Sequence, residues 1–156
     1  MKKIKISILA LAVLFAGCGD ESYNCATEDM AEWAFFVKHK MYYTDTNEEK
    51  AEEILRDYLK FNKISIELLN IDDNVKKSIC RAKFTSNFNM DNERESEIVH
   101  NYCFFKFGGN AESDFTTAEK ELLGFMVKNN AKGSFDISYE VSDNGRGESL
   151  IRILKK

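Results

Sequence analysis

The sequence contains no proline in 156 residues, and it has only two histidines and one tryptophan. Without proline, its turns must rest on Asn, Asp and Gly. Two histidines and four cysteines leave little stock for a multi-ligand metal centre. The 22 basic residues are outnumbered by 26 acidic ones, and the net charge of −4 argues against a protein built to hold nucleic acid.

Sequence motifs of common catalytic sites are also missing. There is no Gly-x-Ser-x-Gly, P-loop, dinucleotide-binding or His-Glu-x-x-His motif. A nucleophilic cysteine needs a nearby base, but Cys25 and His39 would stand about 21 Å apart along a continuous helix. His100 and Cys103 are three residues apart, so on a strand they would face opposite sides. We therefore predict a protein that is not an enzyme and that holds neither a cofactor nor a metal.

The first eighteen residues have the order of an export signal. A basic start, Met1 to Lys5, precedes an apolar run from Ile6 to Phe15, which is too short to span a bilayer. Small residues and Cys18 follow. The segment Leu14-Phe15-Ala16-Gly17-Cys18 resembles the lipobox of bacterial lipoproteins, although Phe15 stands where that family usually has leucine. The resemblance implies that the thiol of Cys18 carries lipid and becomes the new N-terminus.

This resemblance sets the expected organisation and location of the chain. Residues 1–17 would be the signal peptide, 18–25 a tether and 26–156 a single domain. The acyl chains would hold the protein on the bilayer of the cell envelope. Gly19, rather than Asp, follows the cysteine, which by analogy with the family implies the outer membrane, facing the periplasm. Loss of Lys2, Lys3 and Lys5 would make the mature chain more acidic, so we expect it to stand off anionic lipid heads.

The remaining sequence predicts an α+β fold. Helices are expected after Thr27, after Thr46 with Glu49 as a capping box, and after Thr116 with Glu119 as another. Strands are expected over 63–71, 78–88, 96–107, 135–141 and 150–154. They would form an antiparallel sheet of about five strands with two or three helices on one face. In the last helix, Ala118, Leu122, Phe125 and Met126 are expected to face inward.

A helix–strand–strand pattern occurs twice in the sequence. Ala51-Glu52 and Ala118-Glu119 open helices with apolar residues at the same offsets, and each helix leads to two strands joined by an acidic turn. This favours a tandem αββ pseudo-repeat, in a cystatin-like or small inhibitor-like arrangement. Cys80-Arg81-Ala82 also resembles small envelope lipoproteins that have not been characterised, which supports the same fold class.

Three cysteines remain when Cys18 is lipidated. An exported chain meets an oxidising environment, where a disulfide is the default for a suitable pair. We predict Cys80–Cys103, because an antiparallel hairpin in that register places its turn in the polar stretch after Asn89. The alternative is a bridge from Cys25 to one of them, which would attach the first helix to the sheet.

The expected strand 96–107 would present a partly aromatic outer face. We predict a partner-binding surface there, made of Ile98, His100, Tyr102, Phe104, Ile79 and Arg81. The alternative is that a strand or loop covers this face, or that Phe104 is merely half buried. The favoured function is a membrane-anchored, non-enzymatic module that binds an unidentified protein. The alternatives are an immunity or inhibitor protein that neutralises a periplasmic toxin or hydrolase, and a structural component of envelope assembly.

Overall fold

A computed structural model describes residues 12–13, 22–40, 48–107 and 114–155. The predicted signal peptide, apart from the backbone of 12–13, and the predicted lipidation at Cys18 lie outside these ranges. So does Thr46, the expected cap of the second helix.

The described residues form an α+β fold with four helices and a four-stranded antiparallel open sheet. The sheet order is β5-β4-β3-β2, and the two-residue strand β1 pairs with the outer side of β5 through Leu150 and Ser149. Along the chain, a helix followed by two strands occurs twice, as α2-β2-β3 and as α4-β4-β5. The elements are β1 (Ala12–Val13), α1 (Glu28–His39), α2 (Glu48–Leu59), β2 (Asn62–Asp72), β3 (Lys77–Asn87), α3 (Glu93–Phe107), α4 (Thr117–Ala131), β4 (Lys132–Asp143) and β5 (Ser149–Ile153).

Two compact units share these elements, because α1, β2, β3 and β4 each contribute residues to both. The first unit is built from Met1–Val37, Ile66–Arg81 and Ile137–Lys156. The second is built from Lys38–Ser65 and Ala82–Asp136.

The first unit is held together by a cross-link beside the start of α1. Cys25 is disulfide-bonded to Cys80 of β3. The backbone N–H of Cys25 donates to Ser78 Oγ at 3.0 Å, and the buried Tyr139 hydroxyl donates to the Cys25 carbonyl at 2.7 Å. Thr27 then caps α1, since its Oγ1 accepts from the Met30 N–H, as the sequence predicts. The chain that enters α1 is thus bonded covalently to β3 and by a hydrogen bond to β4.

Glu140 is a buried carboxylate in the same unit, with 8% of its surface exposed. Lys77 Nζ lies 2.8 Å from its Oε2, and Arg152 donates to the same oxygen at 3.0 Å. Burial alone raises the pKa of Glu140, but the two cations outweigh burial and the net pKa lies below the usual value. The charged form is therefore the form that the folded unit stabilises.

The second unit has a core of stacked rings between its helices. Here α3 packs against both α2 and α4. The rings of Tyr58 and Tyr102 are nearly parallel, with centroids 3.6 Å apart, and Phe88 lies 5.2 Å from Tyr58. His39 Nε2 lies 3.0 Å from the Tyr102 hydroxyl, and the Tyr58 hydroxyl donates to the Asn130 carbonyl at 3.0 Å. The polar tips of these buried rings are thereby satisfied.

The prediction of a strand over 96–107 is wrong, because these residues belong to the helix α3. Their buried members Val99, Tyr102 and Cys103 follow the spacing of a helix face. Asn92 is the N-cap: its side-chain oxygen accepts from the Glu95 N–H at 3.1 Å. Four long strands thus remain of the expected five.

The predicted Cys80–Cys103 disulfide is also wrong. Its hairpin register does not exist, because Cys103 lies on α3 and is a buried free thiol. Cys80 is instead bonded to Cys25, which is the alternative that the sequence left open. Burial raises the pKa of the Cys103 thiol to about 11.

The cysteine arrangement can be checked by peptide mapping. In a Cys18→Ala chain, a non-reducing digest should give a Cys25–Cys80 peptide, and Cys103 should react with iodoacetamide only after unfolding, because thiolate is scarce. Cys25→Ser should lower the free energy of unfolding by about 2–4 kcal/mol. A Cys80–Cys103 peptide, or rapid alkylation of the native protein, would contradict this assignment.

Glu140→Gln should lower the free energy of unfolding by about 1 kcal/mol at pH 7, because it removes a carboxylate from two cations. The folded pKa is depressed, so this stabilisation is present above the usual glutamate pKa of about 4.3 and is lost as the pH falls through the lower folded value. Chemical denaturation of both chains from pH 3 to pH 7 measures the difference. As a control, Glu67→Gln should change stability by less than about 0.5 kcal/mol, because its pair with Arg81 is exposed.

Candidate binding surface

Large apolar side chains are strongly exposed in two places among the residues that the structure describes. One is the end of β2 with the turn that follows it, in the first unit. The other is α4, in the second unit. The exposed residues are Leu68, Leu69, Ile71 and Val75 at the first place, and Leu122 and Phe125 at the second.

Strand β2 lies at the edge of the sheet. Its hydrogen-bonded neighbour is β3, and no further strand of the described chain lies beyond it. An edge strand presents backbone N–H and C=O groups that another strand can pair with. Natural edges are commonly blunted by proline, by bulges or by charges. This chain has no proline, and the exposed charged residues of β2 are Lys63 and Glu67.

The end of β2 is open on both faces. Leu68 and Leu69 are consecutive, so they point to opposite sides of the sheet, yet they are 47% and 42% exposed. Ile71 shares the side of Leu69 and is 48% exposed. A partner strand added here would therefore meet apolar side chains above and below its own plane. We call Leu68, Leu69 and Ile71, with Val75, the apolar edge.

The turn after β2 is held by several hydrogen bonds. Asp72 Oδ1 accepts from the N–H groups of Asn74 and Val75, at 3.0 and 3.3 Å. The Tyr23 hydroxyl donates to Asp73 Oδ1 at 2.8 Å. Val75 is 61% exposed on this braced turn. The apolar edge is thus presented on a supported backbone.

The predicted partner surface does not form, because the strand face on which it depends is a helix. Tyr102 is fully buried, and Phe104 is partly buried with its ring centroid 5.5 Å from that of Phe115. Ile98 is partly buried on α3, and His100 is exposed with Nδ1 2.8 Å from the Ser96 carbonyl. On β3, Ile79 is partly buried, while Arg81 is exposed and lies 3.6 Å from Glu67.

The apolar edge was missed, although the sequence holds a signal for it. From Ile64 to Leu68 the apolar residues alternate, and at Leu69 and Ile71 they shift to the other parity. A strand with apolar residues on both parities is either buried on both faces or open to a partner on both. Sequence alone does not distinguish these cases.

The buried polar groups of the second unit do not have the chemistry of an activated nucleophile. Burial raises the pKa of Tyr58 to about 12 and that of Cys103 to about 11. Activation of a cysteine requires the opposite shift, a lowered pKa.

An open hollow of about 450 Å³ elsewhere in this unit is lined by Asn89, Met90, Asp91, Lys128, Asn129, Ala131 and Lys132.

The residues that the structure describes contain no group of three or more His, Cys, Asp or Glu side chains placed to hold a metal ion. None of their helices is both long and apolar enough to cross a membrane.

No protein-family model, curated protein or solved structure matches this chain.

The exposure of the apolar edge can be tested through stability. Leu69→Lys and Ile71→Lys should each change the free energy of unfolding by less than about 0.5 kcal/mol, because they replace exposed side chains. Ile137→Ala, which truncates a buried residue of the same unit, should cost about 2–5 kcal/mol. Denaturant titration of the three variants makes the comparison. A cost near that of Ile137→Ala at either edge position would mean that the edge is covered.

Proposed function

We propose that the protein is a lipid-anchored lipoprotein of the bacterial cell envelope. We propose further that it acts as a non-enzymatic protein-binding module, which binds its partners through the apolar edge. The proposed anchor is Cys18, in the outer membrane and facing the periplasm. The observation that carries the binding function is the apolar edge itself. Its partner would be a protein that supplies an extended apolar segment.

The disulfide supports the proposed location. Structural disulfides persist in oxidising compartments such as the periplasm and are rare in the cytosol. Cys25 and Cys80 are bonded, and Cys25 lies only seven residues after the proposed lipid-bearing Cys18. An exported chain with that leader and this cross-link fits the lipoprotein class.

The link between lipid and folded unit would be short. Ser22 donates to Asp143, its carbonyl accepts from the Ser149 hydroxyl, and Cys25 is cross-linked. Four residues from Cys18 to Ser22 can span at most about 14 Å. Ser22 would then lie within about 14 Å of the lipid-bearing Cys18, which limits how far the first unit can stand off the lipid heads.

Removal of residues 1–17 would also take away β1. That strand pairs with Leu150 and Ser149, so the mature chain would leave this stretch of β5 without the pairing. β1 is the outermost strand of the sheet, and β5, β4, β3 and β2 all lie on one side of it.

Strand addition explains why the apolar residues lie at a sheet edge. In this mode of recognition, backbone hydrogen bonds supply affinity and alternate side chains supply specificity. Leu69 and Ile71 would contact one side of the added strand and Leu68 the other. An inhibitor and an assembly component would both use the same edge, and the identity of the bound protein would distinguish the two roles.

We also propose that α2-β2-β3 and α4-β4-β5 are copies of one unit in a cystatin-like or small inhibitor-like arrangement.

Lipid attachment and edge binding can be tested in one strain series. Cells fed an alkyne-labelled fatty acid should label the wild-type protein and not Cys18→Ser. A photo-crosslinking residue at Leu69 should give a discrete protein adduct in intact cells, because the edge faces its partner. The same residue at Glu97, which is exposed on α3, should not give that adduct. The adduct at Leu69 should weaken at least tenfold when Ile71→Lys is added.

The two measurements test the anchor and the binding edge separately. If the protein carries no lipid but still forms the adduct, the proposed anchor is wrong and the proposed binding edge stands. Lipid without any adduct, or an adduct equally strong at Glu97, would overturn the binding function.

A further inference from the structure

Helix α4 presents an apolar stripe on the side opposite to the one it buries. Its buried residues are Leu123, Val127 and Ala131. The expectation that Leu122 and Phe125 face inward is wrong, since they are 50% and 66% exposed. An exposed apolar stripe of this kind on a surface helix is a candidate contact surface for a partner.

Charges flank Phe125 with a symmetry that favours one particular partner. Glu121 lies one turn before Phe125 and Lys128 one turn after it, and both are exposed. If a second copy of α4 lies antiparallel, with the two Phe125 rings at the two-fold axis, Glu121 of each copy comes opposite Lys128 of the other. Both pairs then join opposite charges, and the surface complements itself.

We propose that two copies of this chain associate through an antiparallel α4–α4 contact centred on Phe125. Leu122 and Met126 lie on the other flank of the stripe and extend the apolar contact. A helix of 15 residues is about 22 Å long, so the contact is smaller than a standard stable interface. The dimer is therefore weak in solution. The inference requires neither the anchor nor the apolar edge.

Exchange of the two charges tests this geometry with the full-length chain in detergent micelles. Sedimentation equilibrium should show a monomer–dimer equilibrium for the wild type. Glu121→Lys and Lys128→Glu should each weaken dimerisation at least tenfold, because each variant places like charges opposite one another in both pairs. An equimolar mixture of the two variants should dimerise like the wild type, since every pair is again opposite in sign.

Two control variants test whether the dimer forms through the apolar stripe of α4. Lys120→Glu makes the same charge change on α4 away from the stripe and should leave the dimer unchanged. Leu69→Lys should also leave it unchanged, which separates this dimer from association through the sheet edge. The proposal is overturned if the wild type stays monomeric up to about 1 mM, where even weak complexes form. It is equally overturned if the charge variants dimerise like the wild type, or if their mixture does not recover.

Discussion

The disulfide between Cys25 and Cys80 is the constraint on which the first unit depends. It closes a loop of 55 residues, and in the chain-entropy model such a loop contributes about 4 kcal/mol. Beside it, Ser78 accepts from the N–H of Cys25 and also donates to the Tyr23 carbonyl, while Tyr139 donates to the Cys25 carbonyl. One covalent bond and three hydrogen bonds therefore fix where the chain enters α1. The chain between the proposed lipid at Cys18 and the first unit is short, because Ser22 and Cys25 are already bonded to that unit.

Local signals in the sequence predict helices and strands correctly where the pattern of apolar residues fits only one type of secondary structure. Thr116 and Glu119 form the expected capping box, and Phe135 to Val141 form part of β4 with Ile137, Tyr139 and Val141 buried. They fail over 96–107, where apolar residues fit two periods at once. Ile98, Tyr102 and Phe104 share a strand parity, whereas Val99, Tyr102 and Cys103 share a helix face. In the folded chain these residues form a helix that Asn92 caps, with its side-chain oxygen accepting from the Glu95 N–H.

The side that α4 buries was unpredictable for a related reason. Leu122, Leu123, Phe125, Met126 and Val127 surround most of the helix with apolar side chains, so periodicity offers two faces of similar strength. Tertiary packing against α3 selects one of them. The prediction of a Cys80–Cys103 disulfide is wrong for the same reason, because the hairpin that it requires runs through a segment that is a helix. The apolar edge was missed because exposure at a sheet edge depends on strand order, which no local pattern encodes.

If the chain is anchored at Cys18 as proposed, weak surfaces gain importance at the membrane. Confinement to two dimensions raises the effective concentration of neighbouring copies, so an α4 contact too small to persist in solution can persist there. Each α4 dimer would carry two copies of the apolar edge. A partner with two extended segments, or a partner that is itself repeated, would then bind by both edges with an avidity that neither edge supplies alone. In the proposed scheme, the exposed stripe on α4 and the exposed end of β2 have compatible roles: the helix would set the number of binding edges, and the strand would do the binding.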